Sequence, residues 1–312
     1  MHRSPMLLVV VVVFLATLIF GCSQQSLHES RKAGLTRQFG DDFNHDHGPP
    51  EHLDMSRWVR FRSGQARIEN GFWLMELVRD PPPGPGEYSF GGFATKEKHF
   101  KPGLTGTNGV EITVAGFSHE KYPEELNKPG QLVQAWSLTI GSWQGLVGDN
   151  KEKDRGVQLH FDLLRDDGLY VYLVRGLLPT DFGKYPQDAY GREDSGSLSA
   201  EEKRARHVET AEAGGVYITA PCLALATRIY RTDEQIEALL ERRHRYGLYL
   251  TNDANTLYWT LDDQVMDVID ITGYFSTNSE SVRDGAFLTI SGFGGFQRNT
   301  WTMDDLEIRT SS

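Results

Sequence analysis

The chain is 312 residues long, with 43 acidic and 32 basic side chains and a formal net charge of −11. That acidic balance, with no basic stripe and no nucleic-acid motif, excludes DNA and RNA as partners. The glycine pairs in GEYSFGG and FGGFQ lack the lysine and serine of a phosphate-binding loop, which excludes nucleotide chemistry, and no serine sits in a nucleophile elbow.

The first predicted element is an export signal. A basic residue, Arg3, precedes an apolar run from Leu7 to Phe20, which is too short and too near the start to favour a spanning anchor. The run stops at Gly21-Cys22, and Ser23, Gln24 and Gln25 are polar. Small residue, cysteine, polar stretch resembles the bacterial lipoprotein signal. The resemblance implies removal of residues 1–21, acylation of Cys22 with palmitate-type chains, and a lipid anchor on the extracytoplasmic side of the cell envelope. The alternatives are an ordinary secretory signal with an incidental cysteine and an uncleaved anchor. The only other cysteine, Cys222, lies in the apolar stretch VYITAPCLALAT and reads as a buried small hydrophobe rather than a catalytic thiol.

Residues 22–38 are polar and aperiodic, which predicts a tether. A single folded domain is expected over 39–312. ARIENGFWLMEL carries Asn70-Gly71 between apolar runs, a strong hairpin signal. Strands follow at GVEITVAGF, with Val110–Ala115, and at QLVQAWSLTI, where Leu132, Ala135 or Trp136, and Leu138 compete for the core face. GVQLHFDLLRDDGLYVYLVRG gives two more, GVYITAPCLALAT one, RYGLYLTNDANTLYWTLDDQVMDVID three, and GAFLTISGF and TWTMDDLEIR close the chain. That is about ten to twelve strands with frequent turns, the pattern of an all-β sandwich or closed barrel. One short helix interrupts it: TDEQIEALLERRHRY places Ile236, Leu239 and Leu240 on one face, and Thr232 with Gln235 forms a capping box. The polar insert around 179–208 is a long loop, functional or disordered.

Three segments carry a resemblance. FGDDFNHDHGPPEHLDMSRWVRF, with Asp41, Asp42, Phe43, Leu53, Asp54 and Trp58, resembles the opening of concanavalin A-like jelly rolls. LYLTNDANTLYWTLDDQVMDV, with Trp259, Asp262 and Asp263, resembles their late hairpin, except that the usual glycine of the turn is absent. MDDLEIR, from Met303 to Arg309, resembles the closing strand. The resemblance implies a concanavalin A-like jelly-roll β-sandwich, similar to uncharacterised bacterial lipoproteins distantly related to family 16 glycoside hydrolases. Those enzymes carry glutamate, aspartate and glutamate at alternate positions of one strand, so that all three face one side of the sheet. No such triplet occurs here; GVEITVAG offers only Glu111.

The hairpin over 157–175 is the strongest site candidate. Val157, Leu159, Phe161 and Leu163 alternate with Gln158, His160 and Asp162, so one face is core and the other polar. Asp166-Asp167-Gly168 suits a three-residue turn with Gly168 left-handed. That register sets Arg165 opposite Leu169, Phe161 opposite Leu173 and Asp162 opposite Tyr172. His160, Asp162, Tyr170 and Tyr172 then share the polar face. Histidine, carboxylate and tyrosines suit a sugar, which needs hydrogen bonds to its hydroxyls and aromatic surface against its C–H faces. The competing expectation is a solvated face with tyrosines packed beneath a loop.

Trp143, after Gly141-Ser142, is a further ligand-binding candidate, whereas Trp73 reads as core; Trp136, Trp259 and Trp301 lie in or beside strands. His45, His47, His207 and His244 have no zinc-binding spacing. No cofactor is required, but Asp41 and Asp42 at the start and Asp304 and Asp305 at the end would suit a structural calcium ion if the end strands run side by side. Three functions remain open. One is a surface-anchored lipoprotein binding a glycan or another envelope component. The second is a polysaccharide-active hydrolase or lyase, and the third a structural protein-binding module.

Overall fold

In the computed structural model the described residues are 25–43, 53–62, 64–78, 89–119, 132–141, 156–164, 168–175, 217–219, 222–251, 255–272, 282–294 and 298–312. Cys22, His45, His47, Trp143, His207 and the 179–208 insert lie outside them, as does the side chain of Cys222. No helix among the described residues is long and apolar enough to cross a membrane.

Among the described residues sixteen strands form two antiparallel sheets of eight. The strands of sheet A are β1 (Leu35–Asp41), β3 (Gly64–Glu69), β4 (Phe72–Val78), β6 (Thr107–His119), β12 (His244–Thr251), β13 (Thr256–Leu261), β14 (Gln264–Asp270) and β16 (Arg298–Ser311). Their order is β14-β13-β12-β6-β16-β4-β3, and β1 also pairs with β16. Sheet B runs β10 (Tyr217–Thr219), β11 (Cys222–Tyr230), β9 (Gly168–Arg175), β8 (Gly156–Leu164), β7 (Leu132–Gly141), β15 (Phe287–Gly294), β5 (Ser89–Thr95), β2 (Trp58–Arg62). The alternation predicts this all-β sandwich, but with fewer strands. GVYITAPCLALAT, expected as one strand, folds back on itself as β10 and β11.

Period-two side-chain alternation places one row of each strand between the sheets. Trp73, Met75 and Leu77 on β4 and Val110, Ile112 and Val114 on β6 meet Trp136, Leu138 and Ile140 on β7 and Val157, Leu159 and Phe161 on β8, all buried. Trp136 rather than Ala135 thus belongs to the core cluster. Aromatic edges stitch the layers: the Phe161 ring lies 5.5 Å from Trp136, 5.4 Å from Tyr246 and 6.1 Å from Trp259, centroid to centroid, separations at which tilted and edge-on pairs add to burial. Where β11 meets β14 the sheets are clasped by Asp267, whose Oδ2 accepts from Arg228 Nε at 2.7 Å and Trp259 Nε1 at 2.8 Å.

The turns follow local chemistry. Asn70 and Gly71 both have positive φ, 53° and 77°, as a two-residue hairpin between β3 and β4 requires. The β13–β14 turn uses Asp262 and Asp263 in the same left-handed region, at 49° and 63°. That conformation costs about 1–2 kcal/mol per non-glycine residue. Specific contacts offset it: Asp262 Oδ1 accepts from Arg245 N at 2.9 Å, its Oδ2 pairs with His244 Nδ1 at 2.6 Å, and Asp263 pairs with Lys32.

The tether expected over 22–38 is corrected over its described part, residues 25–38. Residues 25–33 form a helix, α1, and β1 begins at Leu35, before Phe39. α1 lies on the outer face of sheet A. Gln25 inserts its amide at the β13–β14 turn, donating to Asp263 O at 2.9 Å and accepting from Val265 N at 3.0 Å. His28 is buried edge-on against Tyr249, 4.9 Å between centroids, and Tyr258, 5.7 Å; those two tyrosines are stacked. Lys32 Nζ sits 2.7 Å from Glu111 Oε1, Arg245 Nη2 sits 2.7 Å from Glu111 Oε2, and Tyr249 donates to Glu111 Oε1. Burial opposes the charge on Glu111, but the hydrogen bonds from Lys32 and Tyr249 and the charges of Arg245 and Lys32 prevail and hold its pKa at about 2. The docking face of α1 is therefore polar, which is why no apolar periodicity announces it. The helix that the sequence does predict is present as α2 (Asp233–Leu240), with both halves of the Thr232/Gln235 capping box formed.

Candidate functional site

The site is built on the outer face of sheet B. Register sets three rows across it. One runs Tyr172, His160, Ser137, Ser291 and Gly92; the next runs Tyr170, Asp162, Ala135 and Phe293; the third runs Val174, Gln158, Thr139, Thr289 and Ala94. β7, β8 and β15 lie in the middle of the sheet, so the hydroxyl, amide, imidazole and carboxyl groups converge at its centre. Alternation dictates this: on β7 the residues between Trp136, Leu138 and Ile140 are Ser137 and Thr139, and on β15 those flanking Ile290 are Thr289 and Ser291.

The four sequence candidates on this hairpin are brought together. His160 Nε2 lies 2.8 Å from Asp162 Oδ1, with side chains 3% and 1% exposed. Tyr170 and Tyr172 are stacked, 6.4 Å between centroids with planes 15° apart, and the His160 and Tyr172 rings are 6.1 Å apart. Ser137 and Ser291 hydroxyls bond to each other. Gln158 Oε1 and Thr139 Oγ1, neighbours across β7–β8, are buried without a hydrogen-bond partner among the described residues. Such an orphaned acceptor or hydroxyl costs about 1–3 kcal/mol until something bonds to it.

Two expectations are corrected. The register is two residues from the predicted one: Leu164 opposes Gly168, Asp162 opposes Tyr170 and His160 opposes Tyr172. A two-residue slip preserves parity, so the face survives the change. Gly168 has φ 149° rather than a tight left-handed turn value, and a Cβ there would lie 2.6 Å from Tyr230 O, so β11 rather than the hairpin turn demands the glycine. The face is also not solvated: Gln158, His160, Asp162, Tyr170 and Tyr172 are all buried. Gln158 lies on the polar face expected of this hairpin, whereas Ser137, Thr139, Thr289 and Ser291 carry no such expectation. The available signal was a small hydroxyl residue at every second position of QAWSLTI and AFLTISGF.

Asp162 is the single carboxylate in the eight strands of sheet B, so these strands offer no second acid for two-carboxylate hydrolysis. Glu111 is on sheet A, beneath α1.

The acids expected to hold calcium are brought near one another, since β1 runs antiparallel to β16 with Asp41 opposite Leu306. Asp41, Asp304 and Asp305 engage other partners. Asp41 Oδ2 accepts from Arg57 at 3.1 Å and Trp58 Nε1 at 3.2 Å, and Arg243 Nη2 sits 2.7 Å from Asp304 and 3.3 Å from Asp305. Burial raises the Asp304 pKa, Asp305 adds to the rise, Arg243 opposes it, and Asp42 contributes a further repulsion. Among the described residues no group of three or more histidine, cysteine, aspartate or glutamate side chains is placed to hold a metal ion.

No family model and no curated protein sequence matches the chain. Among solved structures it is similar to the endo-1,3-β-glucanase from Streptomyces sioyaensis, with a TM-score of 0.50 and 11% identity over 90% of this chain and 98% of that one. It is also similar to the GlcNAcα1-4Gal-releasing endo-β-galactosidase from Clostridium perfringens, at TM-score 0.49 and 12% identity, covering 89% of this chain and 64% of that one. The chain thus spans just under two thirds of the galactosidase. The metal-free carbohydrate recognition domain of Emp46p is similar at TM-score 0.47 and 11% identity, over 88% of this chain and 97% of that one. At such identities the likeness is one of fold. Two packed eight-stranded antiparallel sheets with the first and last strands paired make this chain a concanavalin A-like jelly roll.

Proposed function

We propose that this chain is a lipoprotein, anchored to the envelope through acylated Cys22, whose sheet B face binds a glycan. The observation that carries the proposal is the polar centre of that sheet, where Gln158 Oε1 and Thr139 Oγ1 are buried without partners among the described residues, beside the His160–Asp162 pair and the stacked tyrosines. Sugar hydroxyls donate and accept at once, so one ring could satisfy such orphaned groups, but because Tyr170 and Tyr172 are buried it reaches them only by displacing what covers the face. The Gly21-Cys22 junction supports the anchor. The test is a glycan array on the full chain, then calorimetric titration of the strongest binder against the wild type, Asp162→Asn and Tyr172→Phe. Asp162→Asn should weaken binding by about 1–3 kcal/mol through loss of a charged hydrogen bond, and Tyr172→Phe by less. Unchanged affinity in both folded variants places the ligand elsewhere.

A second reading is favoured by one contact. With His160 oriented by Asp162 at 2.8 Å and Tyr172 alongside, histidine and tyrosine could serve as base and acid in a polysaccharide lyase. It requires release of unsaturated sugars from the bound glycan, lost in His160→Ala. Binding without product release contradicts it.

A further inference from the structure

We infer that the outer face of α1 rests against the lipid surface, so that the polar face of sheet B points away from the membrane. This rests on the acylation of Cys22 proposed above and adds an orientation to it. Three residue steps separate Cys22 from Gln25, a span of at most about 11 Å even when fully extended. A lipid on Cys22 therefore holds the bilayer surface close to the start of α1.

α1 is not a loose leader. Gln25, His28 and Lys32 hold it to sheet A through the β13–β14 turn, the Tyr249–Tyr258 stack and Glu111. The opposite side of the helix, Ser26, Leu27, Ser30 and Ala33, is exposed. Leu27 is 47% exposed, one of two large hydrophobic residues so placed among the described residues. A leucine standing off a docked helix, a few residues from a lipid attachment point, is suited to the headgroup–acyl boundary. Because α1 covers the outer side of sheet A and sheet B packs on its inner side, the outer face of sheet B lies at the far side of the sandwich. The anchor would then present the polar centre of His160, Asp162, Tyr170 and Tyr172 outward.

The test uses the lipidated full chain carrying Cys222→Ser, reconstituted into phosphatidylethanolamine–phosphatidylglycerol vesicles that contain a headgroup-attached quencher. A thiol-reactive fluorophore is placed at Ser30→Cys on α1 or at Arg60→Cys on β2, in the opposite sheet and at its far edge. The sulfur of an acylated Cys22 is alkylated and takes no fluorophore. Flotation with vesicles and intact mass report the anchor independently of orientation. The expected result is quenching at position 30 and none at position 60. Releasing α1 with Lys32→Ala and Glu111→Gln together should leave position 30 quenched, since it stays tied to the anchor, and let the freed sandwich bring position 60 to the quencher while the protein still floats. Floating protein with intact α1 quenched equally at both positions, or a position 60 that remains unquenched after release of α1, overturns the orientation and leaves the anchor standing. Protein that neither floats nor carries acyl mass overturns both.

Discussion

Glu111→Gln tests how α1 is held. Gln keeps the shape of Glu111 and removes its charge, so Lys32 and Arg245 lose the partner they share at 2.7 Å. Glu111 is 2% exposed, and its pKa is lowered from the ordinary 4.5 to about 2. A tenfold change in proton affinity is worth about 1.4 kcal/mol, so the charged carboxylate contributes on the order of 3 kcal/mol at neutral pH. Lys32 and Arg245 are about a third exposed, and solvent screening makes this an upper figure. Because the folded pKa is depressed, the contribution is complete above pH 4.5 and is lost as pH falls through about 2. Urea unfolding should therefore show Glu111→Gln less stable at pH 7 by up to about 3 kcal/mol, with the gap to wild type closing toward pH 2. If α1 detaches before the sandwich unfolds, the loss appears instead as faster amide exchange confined to residues 25–33. A variant matching the wild type in urea midpoint at pH 7 and in exchange over 25–33 would refute the reasoning.

Gly168→Ala should destabilise by about 1–3 kcal/mol in urea, since φ 149° disfavours a side chain and the new Cβ would press on Tyr230 O. Thr232→Ala, which removes the N-cap of α2, should cost about 1 kcal/mol in the same assay. His28 has a lowered pKa, first through burial and then through Lys32, against the opposing charges of Asp263, Glu111 and Glu29. Protonation therefore favours undocking, and the protection of the amides over 25–33 relative to their intrinsic exchange rates should fall as pH drops below about 6.5 in the wild type but not in His28→Phe. Intact mass of membrane-extracted protein should show a chain beginning at Cys22 plus acyl groups, and Cys22→Ser should abolish the acyl mass.

The strands were legible because period-two alternation is written into them: VQLHF and QAWSLTI assign their faces residue by residue. Asn70-Gly71 and the Thr232 capping box were legible because each is a local motif with one geometry. α1 was not, because its buried side consists of Gln25, His28 and Lys32, and hydrophobic periodicity is blind to a helix docked through hydrogen bonds. The register of β8 and β9 was missed by two residues because the turn alone underdetermines it; the contact of Gly168 with Tyr230 comes from β11, far along the chain. The same distance-blindness hid the burial of His160 and Asp162, whose alternation says which face they share and nothing about what covers it. The acids at the two ends were correctly expected to approach, but Arg57, Trp58 and Arg243, which engage them, carry no signal of doing so.

The most direct measurement is photo-crosslinking of the full chain with a diazirine-bearing form of the strongest array ligand, mapped by peptide mass spectrometry. Crosslinks on peptides containing His160, Asp162, Tyr170 or Tyr172, diminished in Asp162→Asn, are the predicted result; crosslinks confined to sheet A or α1, unchanged in that variant, would contradict it.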